Sequence, residues 1–178
     1  MTDGDLQQKR IVAGLIDIAV AIAISLAFMI VSLVLGVGIS TATDGSGISG
    51  FVPRILSFLG AFISLGYILG RDVVAGDRSI GKKVQDIRVV TTTGAPIDFM
   101  TSARRNGIFA IGAALGLVSA TLGLIPCLGD AVNCLLLPVM LLGLLVSVGA
   151  AIYEIVQITQ QPDGIRFGDK QAGTRVVR

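Results

Sequence analysis

The chain contains no histidine and no tryptophan, only two cysteines in 178 residues, and few charges, with Asp, Glu, Lys and Arg making up 15%. Each scarcity closes something off. Without histidine there is no imidazole proton relay and no His-based metal site. Two cysteines are too few for a disulfide scaffold or a thiolate cluster. No metal and no cofactor is therefore expected. A soluble domain covers itself with roughly 25% charged residues, and this chain falls well short. Its surface needs a solvent other than water.

What is present fits lipid. Hydrophobic residues make up 53% of the chain, and the mean hydropathy is +0.84. Four apolar runs, at about 11–39, 52–71, 106–126 and 134–158, approach the roughly 20 residues a helix needs to cross the hydrocarbon. Together they predict an all-α membrane protein, a four-helix bundle in a single domain over 1–178, with no internal repeat. The first run is long enough to require tilt or protrusion, since about 1.5 Å per residue takes it past a core of about 30 Å. It is also too long for the h-region of a signal peptide, and Asp3 and Asp5 precede it, so it is read as a retained helix.

Between the runs lie a Gly/Ser/Thr loop with the turn signal Asp44-Gly45, a long charged loop at 71–105, a short loop at 128–133 and a polar tail at 160–178. Thirteen of the fourteen basic residues fall in the N-terminus, the long loop and the tail; Arg54 alone falls elsewhere. Four spans put those three segments on one side. The excess of Lys and Arg on cytoplasmic loops predicts a multi-pass inner-membrane protein with both termini in the cytoplasm. Tyr67 and Tyr153 then fall near the cytoplasmic headgroups. The basic loop suits anionic lipid at that face, and basic residues placed between apolar runs do not suggest nucleic acid.

Two ionisable groups interrupt the apolar runs, Asp17 and Glu154. A charged Asp at a helix centre costs about 2.5–3.5 kcal/mol on insertion scales, and normally faces the bundle interior with a partner. Asp17 follows Arg10 by seven residues, two turns and about 10 Å along the same helix face. It reads either as an ion or proton site or as an interfacial anchor paired with a base. Glu154 should lie at a similar depth. Arg71 and Asp72 close the second run at that level, and Arg104, Arg105 and Asn106 open the third, so a polar cluster is expected there. Asp17, Glu154, Arg10 and Asn106 are the candidate ion or proton site, or else a salt-bridge network that sets helix register.

Other motifs carry less. Gly76 to Lys83 nearly matches a P-loop, but Lys83 stands where the Mg²⁺-binding hydroxyl belongs, and a transmembrane run precedes it. Gly66/Gly70 and Gly112/Gly116 have the spacing that lets helices approach closely, within the chain or in a homo-oligomer. Cys127 and Cys134 flank the short loop and could form a disulfide in an oxidising compartment. Within the long loop, Ser79 can cap a short interfacial helix reaching Asp86. Arg88 to Thr91 reads as a strand before the turn Gly94-Ala95-Pro96, and Thr174 to Val177 is a second strand able to pair with it. There is no Gly-x-Ser-x-Gly elbow and no paired intramembrane Asp motif, so no enzyme is expected.

Three stretches resemble the RDD family of small, mostly bacterial membrane proteins, named for one arginine and two aspartates. They are Arg10 to Asp17, Ser79 to Val90 with Gly94 to Pro96, and Phe167 to Val177 with its Ala-Gly-Thr. The resemblance implies Arg10, Asp17 and Asp169 as signature residues, with Asp72 and Asp86 competing for the second aspartate. Gly168 stands where many relatives have His. The resemblance also implies transport of undefined ligands, with cation/proton antiport for some members. On this reading the chain is a small secondary transporter exchanging cations and protons at Asp17, with Arg10 tuning that carboxylate and Glu154 assisting. The other reading is a non-transporting accessory or scaffold protein whose basic loop binds a partner protein or anionic lipid.

Overall fold

The computed structural model describes residues 3–42, 48–125, 129–160 and 165–177. The element order is α1 (Asp3–Ala42), α2 (Ile48–Gly70), α3 (Ile80–Val84), β1 (Arg88–Thr91), α4 (Phe99–Asn106), a 3-10 turn (Gly107–Ala110), α5 (Ile111–Gly123), α6 (Gly129–Gln160), α7 (Phe167–Ala172) and β2 (Thr174–Val177). Among the described residues four helical stretches are long and apolar enough to cross a membrane, at Gly4–Ile39, Gly50–Gly70, Phe99–Gly123 and Cys134–Gln160. The protein is an all-α membrane bundle with one two-stranded sheet. Large apolar side chains such as Leu33, Val34, Leu135 and Leu145 point outward, as they should where the solvent is hydrocarbon.

The helices pack as an open row. α1 lies along α2, α2 against α5 and α5 against α6, while α1 and α6 barely meet. Small residues set the close approaches. Gly60 receives the Phe28 side chain, and Gly36 sits against the Pro53 ring. Gly143 packs against Leu115 and Gly112. Of the two G-x-x-x-G pairs, Gly70 lies under the Phe99 ring and Gly112 faces Gly143 and Ser147, whereas Gly66 and Gly116 have open space where a Cβ would be. Arg54, the base set apart in the sequence, donates from Nη1 to the Gly123 carbonyl (3.3 Å). There it meets the negative end of α5.

The remaining elements form a capping layer at one end of the row. β1 and β2 pair antiparallel, with Arg88 opposite Val177 and Thr91 opposite Thr174. Their inward side chains, with Ile87 and Ile97, form a small core against Ala13 and Leu6 of α1. The start of α1 therefore protrudes from the row into this layer, which answers the excess length of the first apolar run. α3 is capped by Ser79, whose Oγ accepts from the Lys82 N–H (3.2 Å), and ends at Val84, sooner than expected.

Several boundaries differ from those read in the sequence. The third span begins at Phe99, because Asp98 caps α4 by accepting the Thr101 N–H (2.8 Å). The charged loop thus ends at 98, and Arg104 and Arg105 lie on a helix. α6 starts at Gly129 and absorbs most of the expected short loop. α2 starts at Ile48 with Pro53 inside it. The turn signal Asp44-Gly45 lies outside the described residues. So does Cys127, and with it the expected disulfide to Cys134.

Candidate functional site

Where the capping layer meets the row of spans, the chain buries a network of charges. Asp72, just past α2 and fully buried, receives Lys82 Nζ from α3 in a close ion pair and Asn106 Nδ2 from α4 (2.9 Å). Arg105 Nη1 lies 3.5 Å from Oδ2, the oxygen that accepts from Asn106. Asp169 on α7 takes Arg10 Nη2 from α1 (2.6 Å), Arg105 Nη2 (2.7 Å) and the Arg166 N–H (3.2 Å). That last bond is the N3 half of a capping box for α7. Glu154 on α6 takes Arg166 Nη1 (2.8 Å) and the Gly168 N–H (3.3 Å). The nitrogens of Arg105 are not aligned for hydrogen bonds, so Arg105 holds Asp72 and Asp169 together by charge.

Glycines make these approaches possible. A Cβ at Gly81 would run into the Ala13 carbonyl, and one at Gly168 into the Arg105 carbonyl. Gly173 closes α7 in the left-handed region, with φ +62°, as helix C-caps commonly do.

The electrostatics follow from burial set against charge. Burial alone would raise Asp72, but Lys82, then Arg105 and Arg71, outweigh it and hold the carboxyl well below its usual range. For Asp169, burial is likewise outweighed by Arg105, Arg166 and Arg10, leaving it at about 2. Burial brings Lys82 down to about 7 against the pull of Asp72. Burial would lower Arg166, yet Asp169 and Glu154 raise it.

Asp17 stands apart. It is 2% exposed, and no base lies within ion-pair distance among the described residues. Its Oδ1 accepts the Gly81 N–H (2.8 Å) and the Tyr67 hydroxyl (3.4 Å). Asp17 also lines a cleft of about 1080 Å³ that follows α1 from Arg10 to Val37, with α6 opposite and α2 and α5 behind. Charged groups (Arg10, Asp17, Arg71, Glu154 and Arg166) line its inner end, and beyond them the walls are apolar apart from hydroxyls. Ser25 and Ser64 bond each other (3.1 Å), and Ser32 and Ser57 both donate to the Pro53 carbonyl (3.1 and 2.9 Å). These oxygens continue the polar line that Asp17 and Tyr67 begin.

The four candidate residues gather at one end of the bundle but divide between these settings. Arg10 turns to Asp169, not to Asp17 as their shared helix face suggested. Glu154 is committed to Arg166. Asn106 bridges Asp72 and Arg71, accepting Arg71 Nε (2.9 Å). Among the competing aspartates, Asp72 and Asp169 are buried in the network, whereas Asp86 is exposed and pairs with Arg78 (2.9 Å). Tyr67 is buried against Asp17 rather than standing in a headgroup belt; Tyr153 is exposed and accepts from Gln157 (2.6 Å). Sequence reasoning missed Lys82 and Arg166. Lys82 sat in an apparently solvated basic run, and the N-cap Ser79 marks where α3 starts but not which face turns inward.

The RDD family model matches residues 7–173 of the chain. No curated protein and no solved structure matches it.

Proposed function

The chain belongs to the RDD family, and from that premise we propose that it is a small secondary transporter exchanging a cation for a proton at Asp17. Of the four carboxylates buried at the foot of the bundle, Asp17 alone has no ion pair among the described residues, and it alone faces the cleft without a base holding it. That observation carries the reading. A carboxylate already neutralised by guanidinium has little to gain from a cation. One that is desolvated and unpaired can hold either a proton or a metal cation. Tyr67 supplies an oxygen beside it, of the kind hard cations prefer, and Ser25 and Ser64 offer further oxygens along the cleft. Arg10 and Glu154 then position the surrounding layer rather than bind the ion.

In this reading the capping layer and both termini face the cytoplasm of an inner membrane; the support is the bias of thirteen basic residues to one side. A reporter fused at residue 90 should report a cytoplasmic position.

The accessory reading has less to draw on. Lys82 and Arg105, two of the seven bases of the charged segment, are buried against carboxylates in the bundle. Proteoliposomes separate the two ideas. The full chain should move Na⁺ or K⁺ against H⁺, and Asp17→Asn should abolish that flux while folding normally. Full flux in the variant would remove Asp17 as the exchanging group, and no flux with any of these ions in the wild type would count for the accessory role.

A further inference from the structure

The charges at the foot of the bundle do not balance. Five bases, Arg10, Arg71, Lys82, Arg105 and Arg166, face four acids, Asp17, Asp72, Glu154 and Asp169, so one base is in excess in a largely buried setting. The excess has an address. Four of the five bases lie within 4 Å of a carboxylate. Arg71 does not. It is 8% exposed, gives Nε to Asn106 and lies over the Phe109 ring, 5.2 Å from its centroid. Its two terminal nitrogens take no partner among the described residues, and the side chain lines the cleft. A guanidinium fork in that state suits a phosphate or carboxylate.

The cleft beyond Arg71 excludes most soluble anions as its natural occupant. Between Ile22 and Val37 its lining from α1 is apolar but for Ser25 and Ser32. The cleft exists because α1 and α6 barely meet, which leaves a seam on the side of the row facing lipid. From Asp17 to Val37 the seam covers 20 helical steps, about 30 Å, the thickness of the hydrocarbon core.

We infer that this seam is a binding site for one anionic phospholipid, its phosphate on Arg71 and an acyl chain between α1 and α6. The lipid supplies the missing negative charge and, over the half of the seam that one leaflet covers, the missing wall. A path along Asp17, Tyr67 and the serines would otherwise lie open sideways to hydrocarbon, where polar groups go unsatisfied. The inference rests on Arg71 and the seam, and stands whether or not ions move.

The test is native mass spectrometry of the full chain in detergent, titrated with phosphatidylglycerol or phosphatidylcholine. The wild type should retain one phosphatidylglycerol and prefer it roughly tenfold or more, the scale of a charge-assisted contact. Arg71→Gln should reduce binding to the phosphatidylcholine level, and Arg78→Gln, on the exposed turn, should leave it unchanged. Should Arg71→Gln not fold, Gly116→Leu decides. Its Cβ enters open space in the cleft, and it should weaken chain binding with Arg71 intact. Unchanged phosphatidylglycerol binding in both variants overturns the proposal. So does displacement of the lipid by glycerol phosphate, which would mark a soluble-anion site. A dimer cross-linked through Val148→Cys would also overturn it, because a second copy would then fill the seam.

Discussion

Asp72 and Asp17 are both acids buried beside α3, 0% and 2% exposed, yet they live in different chemistry. Asp72 is surrounded by Lys82, Arg105 and Asn106 from two further elements, and its charge is neutralised where it stands. Asp17 is met by one backbone N–H and one hydroxyl, and looks into an open cleft. Burial alone therefore does not distinguish a group that holds the fold from one that can exchange a ligand. What distinguishes them is whether removing the acid strands other charges. Asp72 and Asp169 are the contacts through which α1, α3, α4 and α7 agree on one geometry. Asp17 is held in place by that geometry and contributes little to it.

The sharpest way to break the contrast is to delete an acid of the network. Asp72→Ala leaves Lys82 and Arg105 buried without their shared partner, and breaking a buried pair from one side costs about 3–5 kcal/mol. We expect most of the purified protein to be lost to aggregation in detergent, with a much lower thermal midpoint for what survives. A midpoint like the wild type's would mean the network is decorative. The next largest effect is steric. Gly81→Ala drives a methyl into the Ala13 carbonyl, so α3 must lift from α1. Overpacking of this kind costs typically about 1–3 kcal/mol. It should also loosen Asp17, whose Gly81 contact goes with it, and faster amide exchange at Gly81's neighbours would report the lift.

Acid should dissolve the network while sparing the spans. Asp169 is held at about 2, against 3.8 for the ordinary carboxyl. A depressed acid contributes its stability fully above the unfolded value and loses it as pH falls through the folded one. The contribution is about 2 kcal/mol, complete above about pH 4 and gone by about pH 2. Lys82 adds a second rise of stability with pH, in a higher window. Its lowered value of about 7 means the folded protein disfavours the charged lysine, a burden present below pH 7 and relieved as pH rises toward the ordinary 10.5. Thermal midpoints across pH 2 to 9 should show the acid loss in the wild type and lack most of it in Asp169→Asn.

Much of this architecture can be read from the residues, and the division follows range. The spans, the Arg88–Thr91 and Thr174–Val177 strands and the Ser79 cap depend on local periodicity, propensity and caps, and they stand in the structure close to where those signals put them. The network depends on contacts between distant residues; Arg10 and Asp169 are 159 positions apart. Nothing near Lys82 in sequence says that α3 turns it inward, because the decisive fact is Gly81 lying on Ala13 of another helix. The start of α4 was legible after all. Asp98 three residues before Thr101 is an N-cap pattern, masked by the habit of reading Arg104 and Arg105 as the charged rim of a span. The Arg10–Asp17 spacing misled for a related reason. A shared helix face allows a contact, but Asp169 offers Arg10 a carboxylate that no i to i+7 rule can see.

The smallest expected change in stability separates the two settings most cleanly. Asp17→Asn keeps an oxygen where Oδ1 stands, so the Gly81 N–H and the Tyr67 hydroxyl keep their acceptor and no buried base is stranded. The loss is the difference between a charged and a neutral acceptor, at most about 1 kcal/mol. Removing a buried charge from a lipid-facing cleft offsets part of it. The thermal midpoint should therefore move little, and could rise. The same chemical change at Asp72, Asp72→Asn, should be far worse, since it leaves Lys82 and Arg105 without a counter-charge. If the two asparagine variants lost equal stability, Asp17 would belong to the network after all, through a base drawn in by movements of the cleft, and its role as the exchanging group would lose its foundation.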